Sequence, residues 1–232
     1  MKAKTQNRAN EKIKKELPLD DQNYILFEYP DYFTNGSPKK IKVKDLGKKF
    51  AYMNSFFMDY LKQYHIPTAF IKTQDENSLK FIKYDRFDFQ VKIFNQVDKR
   101  TAKIFSKKEG ETLHLPVFEF HYGNRKDSLI SESHIITFEL CTYDDLKIIT
   151  RICSKVNAVL KSFFERRGEM LAEVSCSFGK NDDKIYIVDD FTPKSLKVLP
   201  LSQDSKSVSP YKIDTAATIR KYTDHLYNLM SS

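Results

Sequence analysis

Glycine and cysteine are scarce in this sequence. Only 6 of its 232 residues are glycine, where about 7% is usual, and this scarcity counts against a long glycine-rich phosphate loop. The three cysteines, Cys141, Cys153 and Cys176, lie far apart and form no CxxC pair. Their odd number and wide spacing count against a disulfide framework and against a zinc site. We therefore expect free thiols in a reducing compartment.

Long apolar runs are also missing. The longest fall far below the roughly 18 residues that a membrane-spanning helix needs, and no apolar segment follows the basic N-terminus. We therefore expect no membrane partner, no secretory signal and a cytoplasmic location. With 41% hydrophobic and 30% charged residues, the composition is typical of a globular protein.

The net charge of +8 predicts an anionic partner, which could be a nucleic acid, a nucleotide or a phosphorylated metabolite. The basic residues do not form one dense block but occur in short groups among predicted strands and turns. No helix-turn-helix, zinc-finger or RNP-like signature accompanies them. The pattern therefore favours a nucleotide or a small anionic substrate over nucleic acid.

Hydrophobic periodicity predicts an α+β protein. Residues 1–15 are basic and polar, and we expect them to be flexible. The predicted strands are 23–29, 78–84, 87–94 and 115–122, the predicted helices are 45–65, 142–167 and 213–230, and a hairpin turns at 180–183.

The helix signals are the most specific of these patterns. Thr142 is a good N-cap residue and Gly168 is well placed to end the long helix. In the helix at 45–65, apolar residues recur at steps of three and four, which predicts a buried stripe. That stripe consists of Leu46, Phe50, Met53, Phe57, Leu61 and Tyr64.

Three segments carry a resemblance to a known family. They are "YHIPTAFIK" at 64–72, "SLISESHI" at 128–135 and "SFGKNDDKIYIVDDFTP" at 177–193. Their order resembles the SAICAR synthetase family, ligases that join aspartate to a carboxyaminoimidazole ribotide in purine synthesis. The resemblance runs from about 12 to about 200. It implies ATP, Mg²⁺ and a two-lobed fold with a nucleotide cleft, the smaller lobe reaching to about 84 and the larger starting at about 85.

Strand alternation predicts which side chains share a face with this implied cleft. The odd positions of 171–177 are Leu171, Glu173, Ser175 and Ser177. The family has Asp, Lys and Glu at the last three, facing the substrates, so the resemblance implies a catalytic role for Glu173 and two lost charges. It also implies that Asp189 is catalytic and binds Mg²⁺, while Asp190 points the other way as a turn-forming or solvated acid.

The acceptor side of the implied site departs from the family. Phe94 replaces an arginine that grips the ribotide, and a phenyl ring cannot make the bidentate contact of a guanidinium. Lys92, Lys99 and Arg100 form a rebuilt cationic pocket or, alternatively, part of an exposed charged loop. Lys197 stands where the family has an arginine near the ribotide, so the resemblance implies that it binds the substrate. With the rebuilt pocket, the expected substrate-binding residues are Lys92, Lys99, Arg100 and Lys197.

The nucleotide side is better preserved. Lys12 and Lys14 match two phosphate-contacting lysines of the family, although Glu11 replaces a glycine. Lys83 resembles a lysine of the nucleotide cleft. These three lysines are therefore the ATP-binding residues that the resemblance implies.

Three functions stay open at this point. The first is an ATP-dependent carboxylate–amine ligase, possibly acting on a changed acceptor. The second is a catalytically degenerate paralogue that binds a nucleotide or a protein partner without ligation. The third is a basic nucleic-acid-binding protein. A homo-oligomer is compatible with each of them.

Overall fold

The computed structural model describes residues 14–34, 40–123, 128–188, 190–201 and 208–231. Its elements confirm the predicted α+β class. The strands are β1 (Lys15–Leu17), β2 (Tyr24–Glu28), β3 (Tyr32–Phe33), β4 (Ile41–Lys42), β5 (Phe70–Asp75), β6 (Ser78–Ile82), β7 (Asp85–Gln96), β8 (Thr112–Tyr122), β9 (Leu129–Ile130), β10 (Glu169–Asn181), β11 (Lys184–Ile187) and β12 (Leu196–Pro200). The helices are α1 (Leu46–Gln63), α2 (Lys99–Phe105), α3 (Glu132–Thr137), α4 (Tyr143–Glu165) and α5 (Ala216–Leu229).

A small antiparallel sheet has the strand order β1-β2-β6-β5, and α1 packs against it. The predicted apolar stripe of α1 is buried from Leu46 to Leu61. Tyr64 is the exception, since 45% of it is exposed. The helix ends at Gln63 and the backbone of Tyr64 leaves the helical region, so its side chain no longer continues the stripe and that part of the prediction is wrong.

A larger antiparallel sheet has the strand order β11-β10-β7-β8-β9, with β12 paired to β10. The long helix α4 covers one face of this sheet. Its buried residues include all six that the periodicity predicts, namely Leu146, Ile149, Cys153, Val156, Leu160 and Phe163. They pack in one core with Val91, Ile93, Val174 and Cys176 of the sheet. The opposite face is therefore free to carry polar side chains.

The ends of α4 form as predicted. The Thr142 hydroxyl accepts a hydrogen bond from the amide of Asp145 at 3.1 Å, which satisfies one of the free amides of the first turn. Gly168 follows the helix at a φ of 72°, a conformation that glycine adopts without a steric cost.

A β-bulge in β10 corrects one prediction about strand faces. The pairing of β10 with β12 shifts register between Leu171 and Glu173, so strict alternation fails there. Leu171 packs in the apolar core and does not share the face of Glu173. Beyond the bulge the prediction is confirmed, because Glu173, Ser175 and Ser177 pair with Phe94, Lys92 and Gln90 of β7.

Residues 95–100 form a strand end and a helix start instead of a charged loop. The Asp98 carboxylate accepts from the amide of Thr101 at 2.8 Å and caps α2. Asn95 is buried and makes a reciprocal amide pair with Asn157 of α4 at 2.8 and 2.9 Å. The loop alternative is therefore wrong, because a side-chain cap and a buried polar pair hold this segment.

The predicted lobe boundary at about residue 84 coincides with the junction between the two sheets. Residues 1–13 lie outside the described residues, Lys14 is buried and Lys15 begins β1. The small sheet is complete by Ile82, and the large sheet starts with Asp85. The division into two lobes at this point stays a prediction.

No helix in the described part of the chain is long and apolar enough to cross a membrane.

Candidate functional site

The face of the large sheet opposite α4 gathers most of the predicted site residues. The strand register places Glu173 beside Phe94 and Lys197, Ser175 beside Lys92, and Lys92 beside Glu119. We call this surface the site face. It comprises Gln90, Lys92, Phe94, Glu119, His121, Glu173, Ser175, Ser177 and Lys197.

Glu173 lies opposite Lys197 on the site face, and Lys92 lies on the same face opposite Ser175. The Lys197 ammonium donates to the carbonyl oxygens of Pro193 at 2.8 Å and Pro210 at 3.1 Å. Burial lowers the pKa of Lys197 to about 8, the Glu173 carboxylate opposes that shift, and the charge of Lys92 adds to it. The three predicted residues therefore act on one another electrostatically, as a shared binding site requires.

Sequence reasoning missed a chain of polar contacts on β8. Arg100 forms an ion pair with the Glu119 carboxylate. The other oxygen of Glu119 lies 3.2 Å from Nε2 of His121, and Nδ1 of that ring lies 3.3 Å from the Ser128 hydroxyl. The available signal was the alternation at 117–121 on the neighbour of the 87–94 strand, since antiparallel neighbours align their polar positions.

The free energy of unfolding at acid pH should depend on the protonation of His121. Burial lowers its pKa to about 4, the charges of Lys92 and Arg100 add to the shift, and Glu173 opposes it. Because the folded pKa lies below the unfolded value, the unfolded state binds the extra proton as the pH falls through this window. Solvent screens part of this shift, so we expect the wild type to lose about 1–2 kcal/mol more than His121→Gln between about pH 6.5 and pH 4.

Urea titrations of the two proteins at both ends of this window test the expectation. Glutamine keeps a donor and an acceptor near Glu119 and Ser128 but does not titrate. Equal losses of unfolding free energy in the two proteins would show that His121 does not take up the proton.

Lys14 and Asp190 form a contact between the two sheets. Nζ of Lys14 lies 2.8 Å from an Asp190 oxygen, which also accepts from the Tyr29 hydroxyl at 2.8 Å. Only 7% of the Lys14 side chain is exposed, and its ammonium lies 4.2 Å from the centre of the Phe27 ring. Asp190 is therefore structural, as predicted, but it is not a solvated acid, because these donors enclose its carboxylate.

The segment that follows β11 is anchored at Asp190 and Phe191. The Phe191 amide donates to the buried side chain of Asn54 at 2.6 Å, and the Ser195 hydroxyl donates to the carbonyl oxygen of Asp190. Asp189 itself lies outside the described residues. Its roles as a catalytic and metal-binding residue stay predictions.

The magnesium site implied by the resemblance does not fit Ser177. Its hydroxyl accepts from Nη2 of Arg86 at 3.0 Å, and a guanidinium at that point repels a divalent cation. Mg²⁺ also prefers carboxylate and phosphate oxygens. Among the described ranges, no three or more His, Cys, Asp or Glu side chains are grouped so that they could hold a metal ion.

The remaining predicted cations are less constrained. Lys83 and Lys99 are exposed. The carbonyl oxygen of Lys83 accepts from the Asn181 side chain at 2.8 Å, which ties it to the β10–β11 turn. Lys12 lies outside the described residues. The structure thus brings Lys92, Arg100, Glu173 and Lys197 to one face and leaves Lys83 near the turn between the sheets.

A second concave region lies away from the site face. It has a volume of about 800 Å³ and is lined mainly by α5 and the ends of β10 and β12. Burial raises the pKa of the Glu169 carboxyl in this region. Oε1 of Glu169 lies 3.3 Å from Nε2 of His225. None of the predicted site residues is among the residues that line this region.

Comparison with known proteins identifies the family. The SAICAR synthetase family model matches residues 9–227. The chain belongs to the SAICAR synthetase family. A phosphoribosylaminoimidazole-succinocarboxamide synthase of Caldanaerobacter subterraneus is 30% identical over 190 residues, which are 80% of each protein.

Solved SAICAR synthetases share the fold. The enzyme of Pyrococcus horikoshii has a TM-score of 0.84 at 26% identity, over 94% of this chain and 97% of its own. A SAICAR synthetase in complex with ADP has the same score and identity, with 94% of both chains covered. The two-sheet architecture described above is therefore that of the SAICAR synthetases.

Proposed function

We propose that this protein is an ATP-dependent ligase that joins a substrate carboxylate to an amine. Its relatives are named as synthases of the succinocarboxamide, a step of purine biosynthesis, and one neighbour was solved with ADP. The observation that carries the proposal is that Glu173 lies opposite Lys197 in the strand register and shares its sheet face with Lys92, which lies opposite Ser175. That face offers one anion for an amine and two cations for an anionic acceptor.

The proposed reaction has two steps. A carboxylate oxygen attacks the γ-phosphorus of ATP, the bond to ADP breaks, and an acyl phosphate forms. The amine nitrogen of aspartate then attacks the acyl carbon, phosphate leaves, and the nitrogen loses a proton. Such chemistry depends on positioning and on neutralising the phosphate charge.

Each predicted residue has a place in this scheme. Glu173 orients the amine and accepts its proton, while Lys92, Lys197 and Arg100 hold the acceptor's anionic groups. Lys99 lies one residue before Arg100 at the start of α2 and adds positive charge there. Lys12, Lys14 and Lys83 would hold the phosphates. The Lys14 ammonium is paired with Asp190, so on nucleotide binding it would either contact both groups or give up this ion pair.

Mg²⁺ has one protein ligand in the proposal. Asp189 would hold the ion together with the nucleotide phosphates, where a bound ion neutralises phosphate charge. Ser177 supplies no second carboxylate to such an ion.

The acceptor is proposed to differ from the usual ribotide. Phe94 lies beside Glu173, at the position where the resemblance implies an arginine. Loss of one charged hydrogen bond costs about 1.5–3 kcal/mol of binding. Arg100 does not restore this contact directly, because its guanidinium is paired with Glu119.

Binding without ligation is the second candidate. The observation that favours it is that position 177, where the resemblance implies a metal-binding carboxylate, carries a serine whose hydroxyl accepts from Arg86. A protein of this kind would still bind ATP but would release no ADP and form no amide. A homo-oligomer is compatible with both candidates.

Product analysis separates the candidates. Purified protein is incubated with ATP, Mg²⁺, aspartate and carboxyaminoimidazole ribotide, and in parallel with other small carboxylates, and products are identified by mass spectrometry. We expect aspartate-dependent release of ADP and phosphate with an amide product of at least one acceptor. ATP binding with no product from any acceptor would favour the second candidate, and no ATP binding would contradict both.

A further inference from the structure

Arg86 is a cation at the junction of the two sheets that the implied family roles do not use. It lies near the start of β7, opposite Gly179 of β10 in the strand register. The residue is exposed, while its partner Ser177 is buried. Nη2 of Arg86 donates to the Ser177 hydroxyl at 3.0 Å. One nitrogen of the guanidinium is therefore anchored in the protein, and the group still faces solvent.

The surroundings place Arg86 beside the predicted phosphate-binding region. The Tyr84 ring packs over Gly179, since a Cβ added to that glycine would lie 2.5 Å from a ring carbon. Burial raises the pKa of Tyr84, while the charges of Lys14 and Arg86 lower it. The carbonyl oxygen of Ser177 accepts from the amide of Val188 at 3.0 Å, two residues before Asp190, which binds Lys14. The side chains of Arg86 and Lys14 are thus both anchored close to the end of β11.

The chemistry of this position favours an anion over a metal ion. A guanidinium presents five N–H donors in a plane and grips phosphate oxygens in pairs. It keeps its charge at any physiological pH. With one nitrogen held by Ser177, the side chain loses less rotational freedom on binding a phosphate than an unanchored arginine would.

We propose that Arg86 binds the nucleotide's phosphates and supplies the positive charge of a metal ion that a carboxylate at position 177 would hold, which leaves Asp189 as the one protein ligand of any Mg²⁺ that enters with the nucleotide. The inference rests on the proposed function, because it assumes that this cleft binds a nucleotide. Arg86 is then a binding residue with a permanent positive charge, at a place where the resemblance implies a metal ion that can dissociate. Nucleotide affinity should then depend only weakly on Mg²⁺.

Calorimetric titration with ADP tests the inference in excess Mg²⁺ and in EDTA. We expect the wild-type dissociation constant to rise by less than about tenfold when Mg²⁺ is removed. Arg86→Gln should weaken binding in EDTA by about tenfold or more, the equivalent of one lost charged hydrogen bond. Arg86→Lys should lie between them, because an ammonium keeps the charge but not the paired grip.

Arg151→Gln is the matched control. Arg151 is exposed on α4, which covers the opposite face of the sheet, and the change removes the same charge. The double variant Arg86→Gln, Ser177→Glu restores a carboxylate and should make ADP binding depend on Mg²⁺. Melting temperatures of all variants identify any loss of binding that is caused by unfolding.

The outcomes are distinguishable. Unchanged ADP affinity of folded Arg86→Gln in EDTA would overturn the inference and leave the proposed function standing. Loss of ADP binding by the wild type in EDTA would also overturn the inference and leave the proposed function standing. Wild-type protein that binds no ADP in either buffer would overturn the inference and the proposed function together.

Discussion

Glu173→Gln is expected to lower the rate of amide formation by about 10²–10³-fold, as is usual when a residue that accepts a proton in the transition state is removed. Glutamine preserves the shape of the side chain but cannot accept the proton of the amine. ADP affinity should change by less than about twofold. Ser177 follows Glu173 by four positions of extended strand, which places the two residues about 13 Å apart.

The pH profile gives this variant a second readout. Because the Glu173 carboxylate raises the pKa of Lys197, its removal should move the alkaline limb of the rate profile to lower pH. Glu165→Gln, an exposed change at the end of α4, is the control and should leave rate and profile unchanged. A Glu173→Gln enzyme with the wild-type rate would exclude this carboxylate from the chemistry.

Gly47→Ala is expected to have the largest effect on stability. A Cβ at this position would lie 2.0 Å from the carbonyl oxygen of Tyr29 and 3.3 Å from the carbonyl carbon of Pro30. These are backbone atoms and cannot rotate away. The amide of Gly47 also donates to Asp31 at 2.9 Å, which holds the helix start against this segment.

We expect Gly47→Ala to lose about 3 kcal/mol or more of unfolding free energy, at the upper end for an overpacked site. Tyr29 also holds Asp190, so the contact between the sheets should weaken as well. Chemical denaturation measures the loss of unfolding free energy. Nucleotide affinity, measured on the same samples without denaturant, follows the contact between the sheets, because Lys14 binds Asp190 there.

Gly110→Ala is the control for this prediction. Gly110 has a φ of 82° and no atom within 4 Å of an added Cβ. Its substitution carries only the cost of a left-handed backbone, about 1–2 kcal/mol. A smaller loss for Gly47→Ala than for Gly110→Ala would show that the helix start moves away from Tyr29 at little cost.

Local signals in the sequence were sufficient for the long elements. The helix α4 was predicted with its N-cap, its buried stripe and its terminal glycine, because each depends on residues within a few positions of one another. Strands β2, β6, β7, β8 and β10 were predicted from alternation or short apolar runs. Short or cap-dependent elements such as α2, α3 and β12 were missed, because their periodicity covers too few residues.

The candidate site divides in the same way. Alternation along β10 was enough to predict that Glu173, Ser175 and Ser177 share a face, because the period of a strand is a local property. The roles of these residues came from the resemblance to the SAICAR synthetases. The Arg100–Glu119–His121 contacts were missed, since they depend on the register between β7, β8 and the start of α2.

The sequence by itself determined the fold class, the family and the set of charged residues available for chemistry. The tertiary structure decided which of those charges meet. Lys14 and Asp190 are 176 positions apart, Arg86 and Ser177 are 91 apart, and the bulge at Leu171 arises only where β10 meets β12. Partners at such separations are selected by the packing of two sheets, and no local pattern in the chain records that packing.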